Sequence, residues 1–321
     1  MIALLTVWSG LLGSTPARAD RPAPSAGSVT DGFGRTTVAG CDTGGLRPGT
    51  TTRTTRIGGV ARSYRVHVPA GYTGRTPYPL IVAYHGHAER SASFARYTGL
   101  SALPAIVVYP DGLRGPDGML SWQGAPYSSP KADDVAFTAA ILRDLRASGC
   151  VDRGRTFAVG RSNGGGFAAM LACRLPGTFA AIGVVDAALY NRAPNRCPAA
   201  PPTSVIAFHG TADRVIGYGG GMRQGQRYLP VMEWLGSWVR ANACLPAPLV
   251  VPVNRAVDRF DWALCGDLGT QVTHYRIRGG GHVWPGGSGQ RGVSDSIAAT
   301  SLIWRFFERH GRGFGSIGGS S

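Results

Sequence analysis

The stretch that most constrains this chain is Val159-Gly160-Arg161-Ser162-Asn163-Gly164-Gly165-Gly166. Ahead of it, Arg155-Thr156-Phe157-Ala158-Val159 reads as a buried strand. Behind it, Phe167-Ala168-Ala169-Met170-Leu171-Ala172 reads as the apolar start of a helix. A chain that passes directly from strand to helix needs small neighbours at the turn, because the two backbones approach closely there. Gly160 and Gly164 supply that room. The same turn holds Ser162 in a strained backbone position at a helix N-terminus, where unpaired N–H groups and the helix dipole favour developing negative charge. The pattern G-x-S-x-G in this setting makes Ser162 a candidate nucleophile. It also arises by chance in glycine-rich turns, so the reading stands or falls with partners elsewhere in the chain.

Those partners depend on the order of elements. Residues 34–62 alternate threonine, arginine and glycine and read as exposed antiparallel edge strands, followed by a clearer alternation over 63–69. Apolar runs at 79–84, 105–109, 155–159, 180–185 and 203–208 read as buried strands, and 273–277 as the last strand. Helical spacing appears over 133–147, from 167 to about 175, over 226–241 and over 293–310. Strands with continuous apolar runs that alternate with helices imply an α/β fold, with a mostly parallel central sheet covered by helices on both faces. The expected organisation is one catalytic domain over 33–311, preceded by a flexible Pro/Ser/Gly-rich segment at 20–32 and followed by a Gly/Ser tail at 312–321. The long segments 111–132 and 186–202 are expected to shape a pocket rim.

The chain opens with an apolar run over residues 2–12 and then Ala17-Arg18-Ala19, a small-x-small cleavage pattern. Residues 1–19 are therefore expected to be a signal peptide and the product to be secreted. A basic n-region is missing, which leaves an atypical signal or a late start. A buried first helix is the rival, and the polar segment that adjoins it argues against that. No later apolar run is long enough to cross a bilayer. Six cysteines, Cys41, Cys150, Cys173, Cys197, Cys244 and Cys265, suit disulfides in an exported protein. Short loops favour Cys173–Cys197 and Cys244–Cys265, leaving Cys41 for Cys150, although sequence alone leaves other pairings open. Without a C-x-x-C pair or clustered Cys/His spacing, no metal is expected. The net charge of +15 comes almost wholly from arginine, Lys131 being the only lysine. The arginines are scattered rather than massed, so they read as a solvated surface with no specific nucleic-acid partner. A monomer is the working expectation.

A serine hydroxyl needs a base to take its proton. The base and its acid are expected in the order serine, acid, histidine along this type of sheet. Phe208-His209-Gly210-Thr211-Ala212-Asp213 closes a buried strand and puts Asp213 in the loop beyond its C-terminal end, the edge where catalytic groups gather. Gly279-Gly280-Gly281-His282 presents His282 from a turn after the last strand. His209 is a rival base and Asp186 a rival acid, the latter one strand too early. For the tetrahedral oxyanion, the backbone N–H of Asn163 is one expected donor. The N–H of His87, in the loop His85-Gly86-His87, is the other. Neither a metal nor an organic cofactor is called for.

In these marks the chain resembles the secreted feruloyl esterases, acetylxylan esterases and poly(3-hydroxybutyrate) depolymerases of the α/β-hydrolases. The likeness rests on His85-Gly86, Asp134-Val135-Ala136-Phe137, Gly160-Arg161-Ser162-Asn163-Gly164-Gly165, His209-Gly210-Thr211-Ala212-Asp213 and Gly280-Gly281-His282-Val283-Trp284-Pro285-Gly286-Gly287. Together these span residues 60–310 in family order. The resemblance implies an α/β-hydrolase fold and assigns Ser162, Asp213 and His282 to a triad. Depolymerase-like members often carry Cys where this chain has His87, and nothing in the chain resembles an appended polymer-binding module. Both weaken the case for insoluble polyester without establishing an aryl ester; feruloyl esters of plant cell-wall polysaccharide are the preferred expected substrate, with short polyester and acetylxylan as alternatives. A non-catalytic carbohydrate- or wall-binding protein is the alternative from another class. Trp284, Trp122, Tyr127 and His85 are the candidates for the substrate pocket, since aromatic walls suit a planar acyl group.

Overall fold

Alternation decides which way each buried strand residue points, and the two sides of the sheet show it directly. Leu80, Val82 and Tyr84 enter one hydrophobic cluster, while their neighbours Ile81 and Ala83 enter another. The computed structural model describes residues 29–30, 36–37, 41, 45–190, 202–266, 269–289 and 296–312. The chain divides into two units, residues 1–38 and 39–321. In the first, Val29–Thr30 pairs antiparallel with Thr36–Thr37. The expected signal peptide at 1–19 lies outside the described residues, as does most of the segment 20–32.

The second unit carries a sheet of ten strands: β1 (Gly49–Ile57), β2 (Val60–Val68), β3 (Tyr78–Tyr84), β4 (Ile106–Pro110), β5 (Val151–Arg161), β6 (Ala181–Val185), β7 (Ser204–Gly210), β8 (Leu249–Asn254), β9 (Val257–Trp262) and β10 (Val272–Ile277). Their order across the sheet is β8-β9-β10-β7-β6-β5-β3-β4-β2-β1. The central strands from β10 to β4 pair in parallel. Antiparallel hairpins finish both edges. Every residue of β4, β6 and β7 is buried, because helices cover both faces. Helices α2 (Asp134–Ser148), α3 (Asn163–Arg174) and α4 (Val231–Ala241) pack on one face through Phe137, Ile141, Phe167, Trp234 and Trp238. Helices α1 (Ser91–Thr98) and α5 (Ala299–Arg309) cover the other through Phe94, Ile303, Phe306 and Phe307.

Several boundaries differ from the sequence expectation, each for a local reason. The helix expected from 226 begins only at Val231, because Pro230 is its extended N-cap and residues 226–228 form a short hairpin strand with 221–223. Met232, in the first turn of this helix, is 37 % exposed. The closing helix starts at Ala299 rather than 293; Ala298 is extended, and the Ala299 N–H donates to the carbonyl of Pro285 at 2.9 Å. The β8–β9 hairpin was not expected at all. Arg312, assigned to the tail, is tied to the sheet: its N–H donates to Gly154, and its guanidinium to the carbonyls of Gly177, Phe179 and Pro202. Disulfides join Cys41 to Cys150 and Cys244 to Cys265. Cys173 is disulfide-bonded as well, and Cys197 lies outside the described residues.

Candidate active site

Strand β5 runs straight into α3, and the turn between them is as tight as the glycines imply. A Cβ on Gly160 would lie 2.2 Å from the Gly164 carbonyl oxygen, and one on Gly164 would lie 2.2 Å from that of Tyr84. Ser162 sits between them at φ 53° and ψ −121°, a region that side chains other than glycine's rarely adopt. Three hydrogen bonds hold it there. Its N–H donates to Val185 at 2.9 Å, and its carbonyl accepts from Gly166 and Ala188 at 3.0 Å each. The residue is 7 % exposed, and it lines a cavity of about 110 Å³ together with Gly86, His87, Glu89, Tyr127, Arg161, Val215, Arg223 and His282.

The loops after β7 and β10 are joined by their backbones. The N–H of Thr211 donates to Ile277 and that of Ala212 to Gly280, both at 2.9 Å. This pairing brings Asp213 to His282, whose Nδ1 donates to Oδ2 of Asp213 at 2.7 Å. With its proton there, the neutral ring keeps Nε2 as an acceptor. The other carboxylate oxygen, Oδ1, accepts from the N–H groups of Val215 and Ile216 at 2.8 and 2.9 Å. Burial alone would raise the Asp213 carboxyl. The N–H groups of His209 and His282, the attraction of His282 in its protonated form and the Ile216 N–H outweigh it and hold the group well below the usual carboxylate range.

The two rivals are close but differently engaged. His209 is buried, and its Nε2 donates to the carbonyl of Ile216 at 2.8 Å while lying 3.4 Å from Asp213 Oδ2. Asp186, with donor or acceptor atoms within 4.8 Å of those of Asp213 and His282, accepts from the Gly210 N–H at 3.2 Å. Its second oxygen has no hydrogen-bond partner among the described residues. Burial pushes this carboxyl up against the opposing charges of His209 and His282.

Of the residues expected in the substrate pocket, only Tyr127 lines the cavity. Trp284 is fully buried, set edge-on against Phe94 with its Nε1 donating to Thr300 Oγ1 at 2.9 Å. Trp122 is likewise fully buried, stacked on Phe167. Its Nε1 donates to the carbonyl of His85 at 2.9 Å, and its backbone N–H to Oδ1 of Asn163 at 2.7 Å. His85 is a buried strut: Nδ1 donates to the Gly86 carbonyl at 2.7 Å, and Nε2 accepts from the Gly112 N–H at 3.0 Å. Large rings on loops that fold back over a sheet are drawn into its cover: Trp122 and His85 meet the site through Asn163 and Gly86, and Trp284 packs away from the cavity on Phe94 and Thr300. His87 is partly buried, with Nε2 2.8 Å from Asp117 Oδ2 and its ring 4.2 Å from that of Tyr127. Glu89, Arg161, Val215 and Arg223 were not singled out for the site. Arg161 stood in the motif as the variable residue before the serine, and Glu89 in the helix approach after His85-Gly86-His87.

A serine on a strained strand-to-helix turn, lining one cavity with an acid-held histidine from a later loop at the C-terminal edge of a parallel sheet, is the arrangement of an α/β-hydrolase. The fold recurs in solved structures: the Thermogutta terrifontis esterase Est2 superposes with a TM-score of 0.55 at 16 % identity, over 85 % of this chain and 96 % of that one. The family described as Esterase PHB depolymerase matches residues 62–201. Feruloyl esterase B of Piromyces equi is 31 % identical over 234 residues, which is 69 % of this chain and 42 % of that protein's length. Feruloyl esterase D of Neurospora crassa is 28 % identical over 291 residues, covering 84 % of this chain and 90 % of that protein. The chain is similar to the feruloyl esterases and to the Esterase PHB depolymerase family, and it is a serine carboxylic-ester hydrolase.

Proposed function

We propose that Ser162, His282 and Asp213 form the catalytic triad of a secreted esterase that releases hydroxycinnamic acids from plant cell-wall polysaccharide. The observation that carries the triad is the 2.7 Å bond from His282 to Asp213, with His282 and Ser162 on the wall of one cavity. Ser162 Oγ attacks the ester carbonyl carbon while its proton passes to His282 Nε2. The oxyanion that forms is met by the N–H groups of Asn163, at the start of α3, and of His87. Collapse expels the alcohol, which takes the proton from His282. Water, deprotonated by the same nitrogen, then cleaves the acyl-enzyme and returns the free acid and the serine. Asp213 remains ionised throughout and stabilises the imidazolium.

The substrate reading is supported by the feruloyl esterases among the similar proteins and by Tyr127 on the cavity wall. Secretion is supported by the leader-like start and by disulfides; among the described residues no helix is long and apolar enough to cross a membrane. A second reading, hydrolysis of short polyester, is favoured by the name of the matching family. Parallel kcat/KM values for methyl ferulate and p-nitrophenyl acetate, with clearing of amorphous poly(3-hydroxybutyrate), separate the two. Efficient ferulate release without clearing supports the first reading, and clearing with negligible ferulate release supports the second. An active Ser162→Ala variant would overturn both.

A further inference from the structure

We propose that Arg161 and Glu89 act as a positioning pair, locking the oxyanion loop and the histidine loop onto the nucleophile strand. The inference deepens the reading of the same site and rests on it. Arg161 immediately precedes Ser162, and its side chain is only 10 % exposed. One arm of the guanidinium pairs with Glu89 Oε1 and donates to Tyr97 Oη at 3.2 Å. The other arm donates to the backbone carbonyl of His282 at 2.8 Å. Glu89 Oε2 in turn accepts from the N–H of Gly86 at 2.9 Å and from Tyr97 Oη at 2.9 Å.

One ion pair therefore touches three separate loops. It holds Gly86, next to the proposed oxyanion donor His87, and the main chain of His282, and it does so from the residue next to Ser162. Stability does not require such a device. A pair largely withdrawn from water, as this one is with Arg161 10 % and Glu89 22 % exposed, gives up hydration that its Coulomb attraction barely repays, and apolar replacements of similar volume are often neutral or stabilising. The planar, two-armed guanidinium is instead suited to fixing two partners at set angles, which an ammonium cannot do. Neither residue touches the reacting atoms in the proposed cycle. They act through Gly86 and His282, and a small misplacement of such groups is enough to cost about 100-fold in rate.

The test compares Arg161→Lys, Glu89→Gln and the double variant on p-nitrophenyl acetate and an ester/thionoester substrate pair. Active serine is counted by stoichiometric labelling with a phosphonate. Per labelled site, each single variant is expected to lose about 10- to 100-fold in kcat with KM within about twofold. The double variant should be no worse than the weaker single. The preference for ester over thionoester should narrow, because sulfur already fits a two-donor oxyanion site poorly and gains less from its correct placement. If Arg161→Lys does not fold, Glu89→Gln and Tyr97→Phe carry the same comparison. Unchanged kcat per labelled site, or a loss with an unchanged ester/thionoester ratio, overturns the proposal. Ser162→Ala is run alongside. If it is inactive while Arg161→Lys is fully active, only the positioning role fails; if it is active, the site itself fails.

Discussion

Asp213 gives His282 only one of its oxygens. Oδ2 accepts from the ring at 2.7 Å, whereas Oδ1 is held by the N–H groups of Val215 and Ile216 in its own turn. The carboxylate is thus oriented by the backbone before the histidine meets it.

Asp213→Asn should keep much of that turn, since an amide oxygen can still accept from Val215 and Ile216. It loses the charge and can present an NH₂ group to His282 Nδ1, which favours the wrong tautomer. The expected loss is about 10⁴-fold in kcat with little change in KM, read by steady-state turnover of p-nitrophenyl acetate. A loss below about 10-fold would remove Asp213 from the triad.

Acid should weaken the fold in two stages. His274 is buried; Nδ1 donates to the Ala207 carbonyl at 3.3 Å and Nε2 accepts from Tyr218 Oη at 2.9 Å. Burial, followed by the charges of His209 and Arg276, pushes its pKa down to about 3. The unfolded chain therefore binds this proton first. The stabilisation is complete above the ordinary histidine value of about 6.5 and falls by up to about 1.4 kcal/mol per pH unit down to about 3. Asp213, also depressed, adds a second loss only as pH falls below the ordinary carboxylate range. Urea midpoints between pH 7 and 4 check the first stage, and His274→Gln should flatten it.

Gly164→Ala should disrupt the elbow rather than merely stiffen it. The added methyl would meet the carbonyl oxygens of Tyr84 and His85 at 2.2 and 2.3 Å, and neither belongs to a side chain that can swing away. A cost of about 3 kcal/mol or more is expected, with loss of turnover. Gly58→Ala, at φ 54° with nothing within 4 Å, should cost about 1 kcal/mol and leave turnover intact. Equilibrium unfolding of the pair makes the comparison.

Of the two rings that sequence offered to the pocket, Tyr127 lines the cavity and Trp284 is fully buried, and their variants should differ accordingly. Tyr127→Ala is expected to raise KM for methyl ferulate by about 10-fold, with a smaller effect on p-nitrophenyl acetate. Trp284→Ala should instead cost about 3–5 kcal/mol of stability and affect both substrates alike in the folded fraction. A selective ferulate defect in Trp284→Ala would return that ring to the pocket.

The parts of this site that sequence disclosed are those encoded by short local patterns. The elbow needs Gly160 and Gly164 beside Ser162; the loop of Asp213 follows an apolar run that reads as a central strand, and the loop of His282 follows the last strand, at 273–277. What stayed hidden depended on distant partners. Trp284 is buried because Phe94 and Thr300 stand where its loop comes down, and nothing near position 284 records that. The β8–β9 hairpin escaped notice because β8 is an edge strand with Leu249, Val250 and Val253 exposed, so its sequence carries no in-and-out alternation. Pro230 was a local signal for the start of α4, outweighed by the apolar spacing around it. Arg161 and Glu89, 72 positions apart, became a pair only once β3 and β5 lay side by side.

The cavity at Ser162 encloses about 110 Å³, well below the 300 Å³ or so at which pockets begin to engulf a drug-sized ligand. Among the described residues that space suits the ester linkage and the part of the acyl group that meets Tyr127, and a large carrier on the alcohol side would lie outside it. An ester hanging from a long, branched or immobile chain would then present the same bond to the same groups as a methyl ester does. The bulk of the carrier would govern how often that bond arrives at the serine, and have little say in how fast it breaks once there.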